Sequence, residues 1–161
     1  MIALQHILVA TDFSEPSAVA LAYGRDLARA YGATLHVVHV VADVTAPYAI
    51  EAGYSNVSFL DEMVASATRD LAALVAGTDW QDVTVQQAVE IRTNVAAGIV
   101  DYARAHTLDL IVVGTHGRSG VAQFFLGSVA ERVVRTAPCP VLTVRSPERD
   151  FVAVDVAVAP R

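Results

Sequence analysis

Leu108-Asp-Leu-Ile-Val-Val113 and the adjoining Gly114-Thr-His-Gly117 decide the fold, together with Gly127-Ser128 at the far end of the same stretch. The first run is short and rich in β-branched residues, which is typical of a buried parallel strand. Ser128 and Glu131 stand at capping-box spacing, which predicts a helix with Ser128 as its cap. Four of the nine glycines of the chain lie between residues 114 and 127. A glycine-rich loop between a strand and a helix exposes backbone N–H groups to an anion, so the stretch predicts a nucleotide-binding protein.

Strand and helix patterns alternate along the rest of the chain. Strands are predicted at residues 6–10, 34–41, 83–89, 108–113 and 141–144. Helices are predicted from Ser14 to Gly32, over Leu60–Leu74, after Asn94 and after Ser128. The order predicts an α/β fold: a three-layer α/β/α open parallel sheet of five strands in the order 3-2-1-4-5, which is Rossmann-like. Residues 83–89 alternate valine with polar residues, which predicts a strand at or near a sheet edge.

The predicted strand order assembles a site. Ligands of such sheets bind beyond the carboxyl ends of the strands, where the connections change direction. The first and fourth strands are neighbours in this order, so Thr11 and Asp12 are expected beside Gly114–Gly117. The connection of residues 43–56 is longer than usual and is a second candidate for a functional segment.

Composition and charge exclude several classes of protein. The 161 residues suit one domain, and the net charge of −6 argues against nucleic acid or an anionic membrane as a partner. All eleven basic residues are arginine, which excludes a Walker-type phosphate loop and a Schiff-base lysine. Cys139 is the single cysteine, so it forms no intramolecular disulfide. No apolar run is long enough for a membrane helix and no signal peptide is recognisable, which makes the cytoplasm the expected location.

The histidines give no metal or catalytic site. His36 and His39 are three residues apart on one strand, so they are predicted to face opposite sides of the sheet. His106 is predicted at the end of a helix, and His6 has no evident partner in the sequence. No cysteine and histidine cluster has zinc-site spacing, and no nucleophile is paired with a base. We therefore predict neither catalytic nor metal-ligating residues.

Four blocks of sequence resemble the ATP-binding branch of the universal stress protein family. They are the spacing Gly114-x2-Gly117-x9-Gly127-Ser128, the opening Ile7–Ser14, the strand Leu35–Val40 and the ending Pro140–Val144. The resemblance covers residues 1–147 as one domain and leaves residues 148–161 as a C-terminal extension. Period-two alternation in that extension suits an added edge strand or pairing across a dimer, and a frayed terminus is the alternative.

The resemblance implies that the sheet is adenine nucleotide alpha hydrolase-like. It implies a cytoplasmic homodimer that pairs through residues 141–144, with the extension as a further candidate contact. It also implies ATP, with Mg²⁺, at the carboxyl ends of the strands, and a regulatory protein partner whose identity the sequence does not give. Val40 matches a position that holds adenine through its backbone, and Asp12 matches one near the adenosine. The nucleotide-binding residues that follow from the motif and the resemblance are Ala10, Thr11, Asp12, Ser14, Val40, Gly114, His116, Gly117, Arg118, Gly127, Ser128 and Val129.

Several of these residues have a second interpretation. Gly114 and Gly117 suit a close approach of phosphate, or are ordinary turn residues. Ser128 suits phosphate binding or helix capping, and the two are compatible. Arg118 suits a bidentate contact to phosphate or is a solvated surface side chain. Asp12 suits ribose hydroxyl groups or capping of the next helix, and His116 is expected to do no more than cover the loop.

Three functions follow from the sequence. The first is an ATP-binding stress-response or regulatory protein, whose glycine loop is ordered by the nucleotide and is recognised by partners. The second is a slow Mg²⁺-dependent ATP hydrolase, against which the absence of lysine and of a general base counts. The third is an FMN carrier of flavodoxin type, whose phosphate loop normally follows the first strand, where this chain has no glycine.

Overall fold

A five-stranded parallel sheet forms the centre of the protein. The computed structural model describes residues 1–43, 57–115 and 127–145. The strands are β1 (His6–Ala10), β2 (Thr34–Ala42), β3 (Val85–Arg92), β4 (Leu110–Gly114) and β5 (Val141–Val144), in the spatial order β3-β2-β1-β4-β5. The helices of the described residues are α1 (Glu15–Tyr31), α2 (Val57–Ala76), α3 (Val95–Ala105) and α4 (Ser128–Thr136). The fold class and strand order predicted from the sequence are confirmed.

Two apolar clusters cover the two faces of this sheet. Successive residues of a strand face opposite sides, so β1 sends Ile7 and Val9 to one cluster and Leu8 to the other, all fully buried. The first cluster is closed by side chains of α1 and α2, and the second by side chains of α3 and α4. Burial on both faces explains why the central strands are nearly continuous runs of apolar residues.

Helix α1 begins and ends at the residues that the sequence indicates. The Ser14 side chain accepts a hydrogen bond from the Ser17 N–H, and Pro16 occupies the first turn, where its missing N–H costs nothing. At the other end, Gly32 has a φ of 66° and its N–H caps the helix, a conformation that glycine adopts without strain. These caps place the start of α1 directly after the end of β1, beside the predicted site.

Helix α3 begins at a similar side-chain cap, and removing it gives the first prediction. The Asn94 side-chain oxygen accepts a hydrogen bond of 2.9 Å from the Ala97 N–H. Asn94→Ala is expected to lower the free energy of unfolding by about 1 kcal/mol, because that N–H loses its acceptor. Urea denaturation measures the change, with the exposed neighbour Thr93→Ala as the control, which should shift stability by less than about 0.5 kcal/mol. Equal effects of the two changes would contradict the capping role.

Several element boundaries differ from the sequence prediction by one to three residues, and those of β3, β4 and α4 bear on the site or its framework. Strand β3 runs two to three residues later than expected, at Val85–Arg92, because β2 pairs with it in register as far as Ala42 with Arg92. Strand β4 begins at Leu110 rather than 108, because the Asp109 carboxylate accepts the N–H groups of Gln5 and His6. The predicted Ser128 cap is wrong: Gly127 is the N-cap of α4, no side chain caps it, and Ser128 is the first helical residue.

Candidate functional site: a pocket at the carboxyl ends of the strands

A cavity of about 370 Å³ opens beyond the carboxyl ends of β1, β2 and β4. Helix α3 and the amino end of α4 complete its walls. The walls include eight of the residues predicted from the sequence: Ala10, Thr11, Asp12, Val40, Gly114, Gly127, Ser128 and Val129. Ser14 lies beside the cavity through its bonds to Asp12. His116, Gly117 and Arg118 lie outside the described residues.

The wall after β1 is a fixed polar turn. The Thr11 hydroxyl is buried, lies 3.2 Å from the Ser17 hydroxyl and accepts the Phe13 N–H. The N–H and the hydroxyl of Ser14 both donate to one carboxylate oxygen of Asp12. Because Ser14 caps α1, the interpretation of Asp12 as the helix cap does not hold. The turn instead holds a carboxylate in a fixed orientation at the cavity.

His39 of β2 is a wall residue that the sequence analysis did not include in the site. Its Nδ1–H donates to the Thr11 carbonyl oxygen at 2.8 Å, and its ring stacks on Phe13 with centroids 4.6 Å apart. Phe13 has a φ of 64°, a left-handed conformation that is uncommon for an aromatic residue. The contact with His39 therefore supports a strained turn. Its partners are 26 and 28 residues distant along the chain, so strand periodicity alone could not identify them.

The opposite wall joins both ends of the predicted glycine loop. The Gly127 N–H donates to the Thr115 carbonyl at 2.7 Å, and the Thr115 N–H donates to the Val144 carbonyl at 2.8 Å. Residues 115 and 127, which bracket the intervening segment, thus meet at the rim of the cavity. A Cβ at Gly114 would lie 3.0 Å from the Pro16 carbonyl oxygen, so a side chain there would force β4 and α1 apart by a few tenths of an ångström. The glycine at this position therefore allows the close contact between β4 and α1.

The chemistry of the described walls suits a flat apolar group with a polar side. Val40 of β2 and Val95 and Ile99 of α3 contribute apolar surface, whereas Thr11 and Asp12 contribute polar groups. The amino end of α4 adds N–H groups and the positive end of a helix dipole, with no side-chain cap to occupy them. A purine base and an attached anion match these two kinds of surface.

The part of the chain that the structure describes lacks two further features. Within residues 1–43, 57–115 and 127–145, no group of three or more histidine, cysteine, aspartate or glutamate side chains could hold a metal ion. No helix in the same part of the chain is both long and apolar enough to cross a membrane.

The fold and this pocket define an α/β protein whose ligand cavity lies at the carboxyl edge of a doubly wound parallel sheet. The model of the universal stress protein family matches residues 3–145 of the chain. A universal stress protein of Thermus aquaticus, from the QAH/OAS sulfhydrylase 3' region, is 34% identical over 145 residues, which are 86% of this chain and 97% of that protein. The chain therefore belongs to the universal stress protein family.

Solved structures agree with this assignment. A universal stress protein family member from Burkholderia pseudomallei is 31% identical and superposes with a TM-score of 0.69, covering 88% of this chain and 96% of its own. A universal stress protein in complex with cAMP is 23% identical, with a TM-score of 0.60 over 90% and 99% of the two chains. The one from Archaeoglobus fulgidus in complex with dAMP is 22% identical, with a TM-score of 0.54 over 89% and 99%. The latter two share the fold of this chain.

Proposed function

We propose that this protein binds an adenine nucleotide, ATP in particular, in the pocket between β1, β2 and β4. The single observation that carries the proposal is the 370 Å³ cavity, whose rim joins both ends of the Gly114–Ser128 stretch. Related proteins of the same fold form complexes with cAMP and dAMP, which supports an adenine nucleotide as the class of ligand. The spacing of Gly114, Gly117, Gly127 and Ser128 supports the triphosphate as the particular ligand.

Each part of the nucleotide is assigned to a wall. The base packs between Val40 and Ile99, with the backbone of Val40 as its hydrogen-bonding edge, and Ala10 lies beneath it. Asp12 accepts hydrogen bonds from the ribose hydroxyl groups, in the orientation that Ser14 fixes. The phosphates bind the N–H groups of Ser128 and Val129 beside Gly127, whose own N–H is held by the Thr115 carbonyl, and the loop residues Gly117, Arg118 and His116 are assigned to the same phosphates.

Magnesium enters this proposal with the nucleotide. No metal-binding group of three or more side chains occurs in the described part of the chain, and Asp12 is the carboxylate on the described cavity walls. Mg²⁺ is commonly held by one or two carboxylates together with substrate phosphates. When bound, the ion would neutralise phosphate charge, and the residue near it would be Asp12.

The role proposed for the protein is regulatory. Nucleotide binding satisfies N–H groups of the loop that water would otherwise satisfy, and a partner protein senses the difference. The protein acts as a cytoplasmic homodimer paired through residues 141–144, with residues 148–161, outside the described part of the chain, as a further contact. Strand β5 supports the pairing, because it is the edge of the sheet and has β4 on one side.

The role of Asp12 gives the second prediction and the test of the function. Calorimetry should detect ATP binding by the wild type, and Asp12→Ala should weaken it by about tenfold, the effect of losing hydrogen bonds to a charged acceptor. The control ligand is 2',3'-dideoxy-ATP, which has no ribose hydroxyl group at those positions. Its affinity should be the same for both proteins within about twofold.

Two results would contradict this proposal. The absence of binding of ATP, AMP and cAMP at millimolar concentration would exclude an adenine nucleotide as the ligand. An equal loss of affinity for ATP and for dideoxy-ATP in the Asp12→Ala protein would retain the nucleotide but exclude the assignment of Asp12 to the ribose.

A further inference from the structure

Three histidines and a tyrosine meet at the far end of the sheet from the pocket. His6 is the first residue of β1, His36 is near the start of β2, and Tyr102 and His106 are at the end of α3. His6 Nδ1 is 3.3 Å from His36 Nε2, and His36 Nδ1 is 3.1 Å from the Tyr102 hydroxyl. The His106 ring stacks on the Tyr102 ring with centroids 3.9 Å apart. His6, which has no evident partner in the sequence, therefore belongs to a continuous cluster.

The positions of the hydrogens in this cluster are constrained. His106 Nδ1 lies 2.9 Å from the Tyr102 carbonyl oxygen, which can only accept, so His106 carries a hydrogen on Nδ1. Neutral His36 has one N–H and one acceptor nitrogen, so it donates to one neighbour and accepts from the other. A protonated His36 would donate to both His6 and Tyr102, and a protonated His6 would donate to His36. The His6–His36 contact holds one hydrogen, so the pair accommodates one added proton.

The packing of His36 opposes its protonation. The side chain is only 2% exposed. Burial, together with the positive charges that His6 and His106 can carry, lowers the pKa of His36 from 6.5 to about 4. Protons therefore bind more readily when the rings separate and gain water, which links the protonation of the cluster to its geometry.

Charged groups from other elements also face the cluster. Burial, and after it the negative charge of Glu90 of β3, raises the pKa of the Tyr102 hydroxyl group. The Asp109 carboxylate accepts the backbone N–H of His6. Both carboxylates lie at the border of the cluster, and Glu90 also pairs with the Arg92 guanidinium at 3.2 Å. Burial and the neighbouring imidazoles outweigh these carboxylates at His36.

Helix α3 connects the cluster to the pocket. Tyr102 lies near one end of the helix, and Val95 and Ile99, nearer the other end, line the cavity. Ile99 and Tyr102 are three residues apart, which is about 4.5 Å along a helix axis. The middle of the helix packs tightly on β2, because a Cβ on Gly98 would lie 2.8 Å from the Val40 side chain. A displacement of the Tyr102 end is therefore transmitted to Ile99 and Val40, two walls of the cavity.

We propose that the cluster of His6, His36, Tyr102 and His106 is a proton-binding site that regulates the nucleotide pocket through helix α3. The hydrogen bonds of the His6–His36 pair hold one added proton. A second proton sets two N–H groups against each other, which separates the rings, shifts α3 and weakens nucleotide binding, and the nucleotide in turn disfavours that proton. This inference rests on the proposed function for its effect on affinity. The coupling between the cluster and the cavity does not depend on the proposed function.

The experiment compares the wild type with His36→Gln, which retains a hydrogen-bonding partner for Tyr102 and does not titrate. Calorimetry with ATP at pH 7.5 and pH 5.5 should show a loss of wild-type affinity of about fivefold or more beyond that of the variant, the lower range of typical coupling between sites. The titration of the ATP phosphates affects both proteins equally. Thr78→Ala, which removes a buried hydroxyl bond to the Leu74 carbonyl in the α1 and α2 layer, controls for loss of stability and should keep the wild-type pH dependence.

A second measurement needs no nucleotide. Methyl resonances of Val95 and Ile99 should shift with pH, with the same midpoint as the imidazole resonances of the cluster, and His36→Gln should abolish that common transition. Equal pH dependence of ATP affinity in the wild type and in His36→Gln would overturn the proposal. If ATP binds at neither pH, the proposed function fails, and the methyl shifts alone decide the coupling: shifts that follow the imidazoles support it, and unchanged methyl resonances refute it.

Discussion

Gly114→Ala is expected to weaken ATP binding at least tenfold while the protein remains folded. The added Cβ would lie 3.0 and 3.1 Å from the carbonyl oxygen and carbon of Pro16, which are backbone atoms of the first turn of α1. Backbone yields less readily than a side chain, so the end of β4 and the start of α1 must separate. Both elements line the cavity, and the Thr11 and Asp12 wall moves with them. The cost in stability is about 1–3 kcal/mol, which is typical of overpacking.

The matched control is Gly32→Ala at the other end of α1. A Cβ on Gly32 would meet nothing within 4 Å, but the φ of 66° is unfavourable for alanine. This change should destabilise the protein by about 1 kcal/mol and leave ATP affinity unaltered. Calorimetry with ATP and urea denaturation of both variants separate the two effects. Equal affinities of wild type and Gly114→Ala would show that the close contact of β4 with α1 does not shape the ligand site.

The second large effect expected is a loss of stability in acid that depends on His36. Its pKa is lowered from 6.5 to about 4 in the folded protein, chiefly by burial. Between these two values the unfolded chain binds more protons than the folded protein. The free energy of unfolding therefore falls as the pH falls through that window, by about 3 kcal/mol in total, and the contribution of His36 is fully present above pH 6.5.

Urea denaturation at intervals between pH 7.5 and pH 4 measures this dependence. His36→Gln removes the titrating group, so its stability curve should be flatter than that of the wild type by nearly the whole amount. Carboxylate titration affects both proteins and cancels in the difference. Parallel curves for the two proteins would show that His36 is as easily protonated in the folded protein as in the unfolded chain.

The sequence was sufficient for the framework of the fold. Strands β1 and β5 have the predicted bounds. The apolar run of β1 ends where the polar residue Thr11 follows it, and β5 is a short run that begins directly after Pro140. The caps Ser14, Gly32 and Asn94 were equally predictable, because capping depends on residues three or four positions apart. Strand order and the position of the cavity followed from connection rules for parallel sheets.

What could not be predicted depends on contacts between distant parts of the chain. The limits of β3 are set by its register with β2, which an alternating pattern does not contain. The role of His39 arises from the Thr11 carbonyl on the neighbouring strand, and the cluster at His36 joins β1, β2 and α3. The prediction of the α4 cap was wrong because Ser128 fits the spacing of a capping box. In the structure Gly127 is the cap and Ser128 is already the first residue of the helix.

The bond between the Gly127 N–H and the Thr115 carbonyl makes the framework of this protein independent of the segment between those two residues. It fixes the two anchor points of the segment 116–126 to β4, and through Val144 to β5, independently of what lies between them. The entropy lost when the ends of a loop are brought together changes only slowly with the length of the loop. Exchanging residues 116–126 for a segment of another length or composition is thus expected to leave the framework of β4, β5 and α4 unchanged.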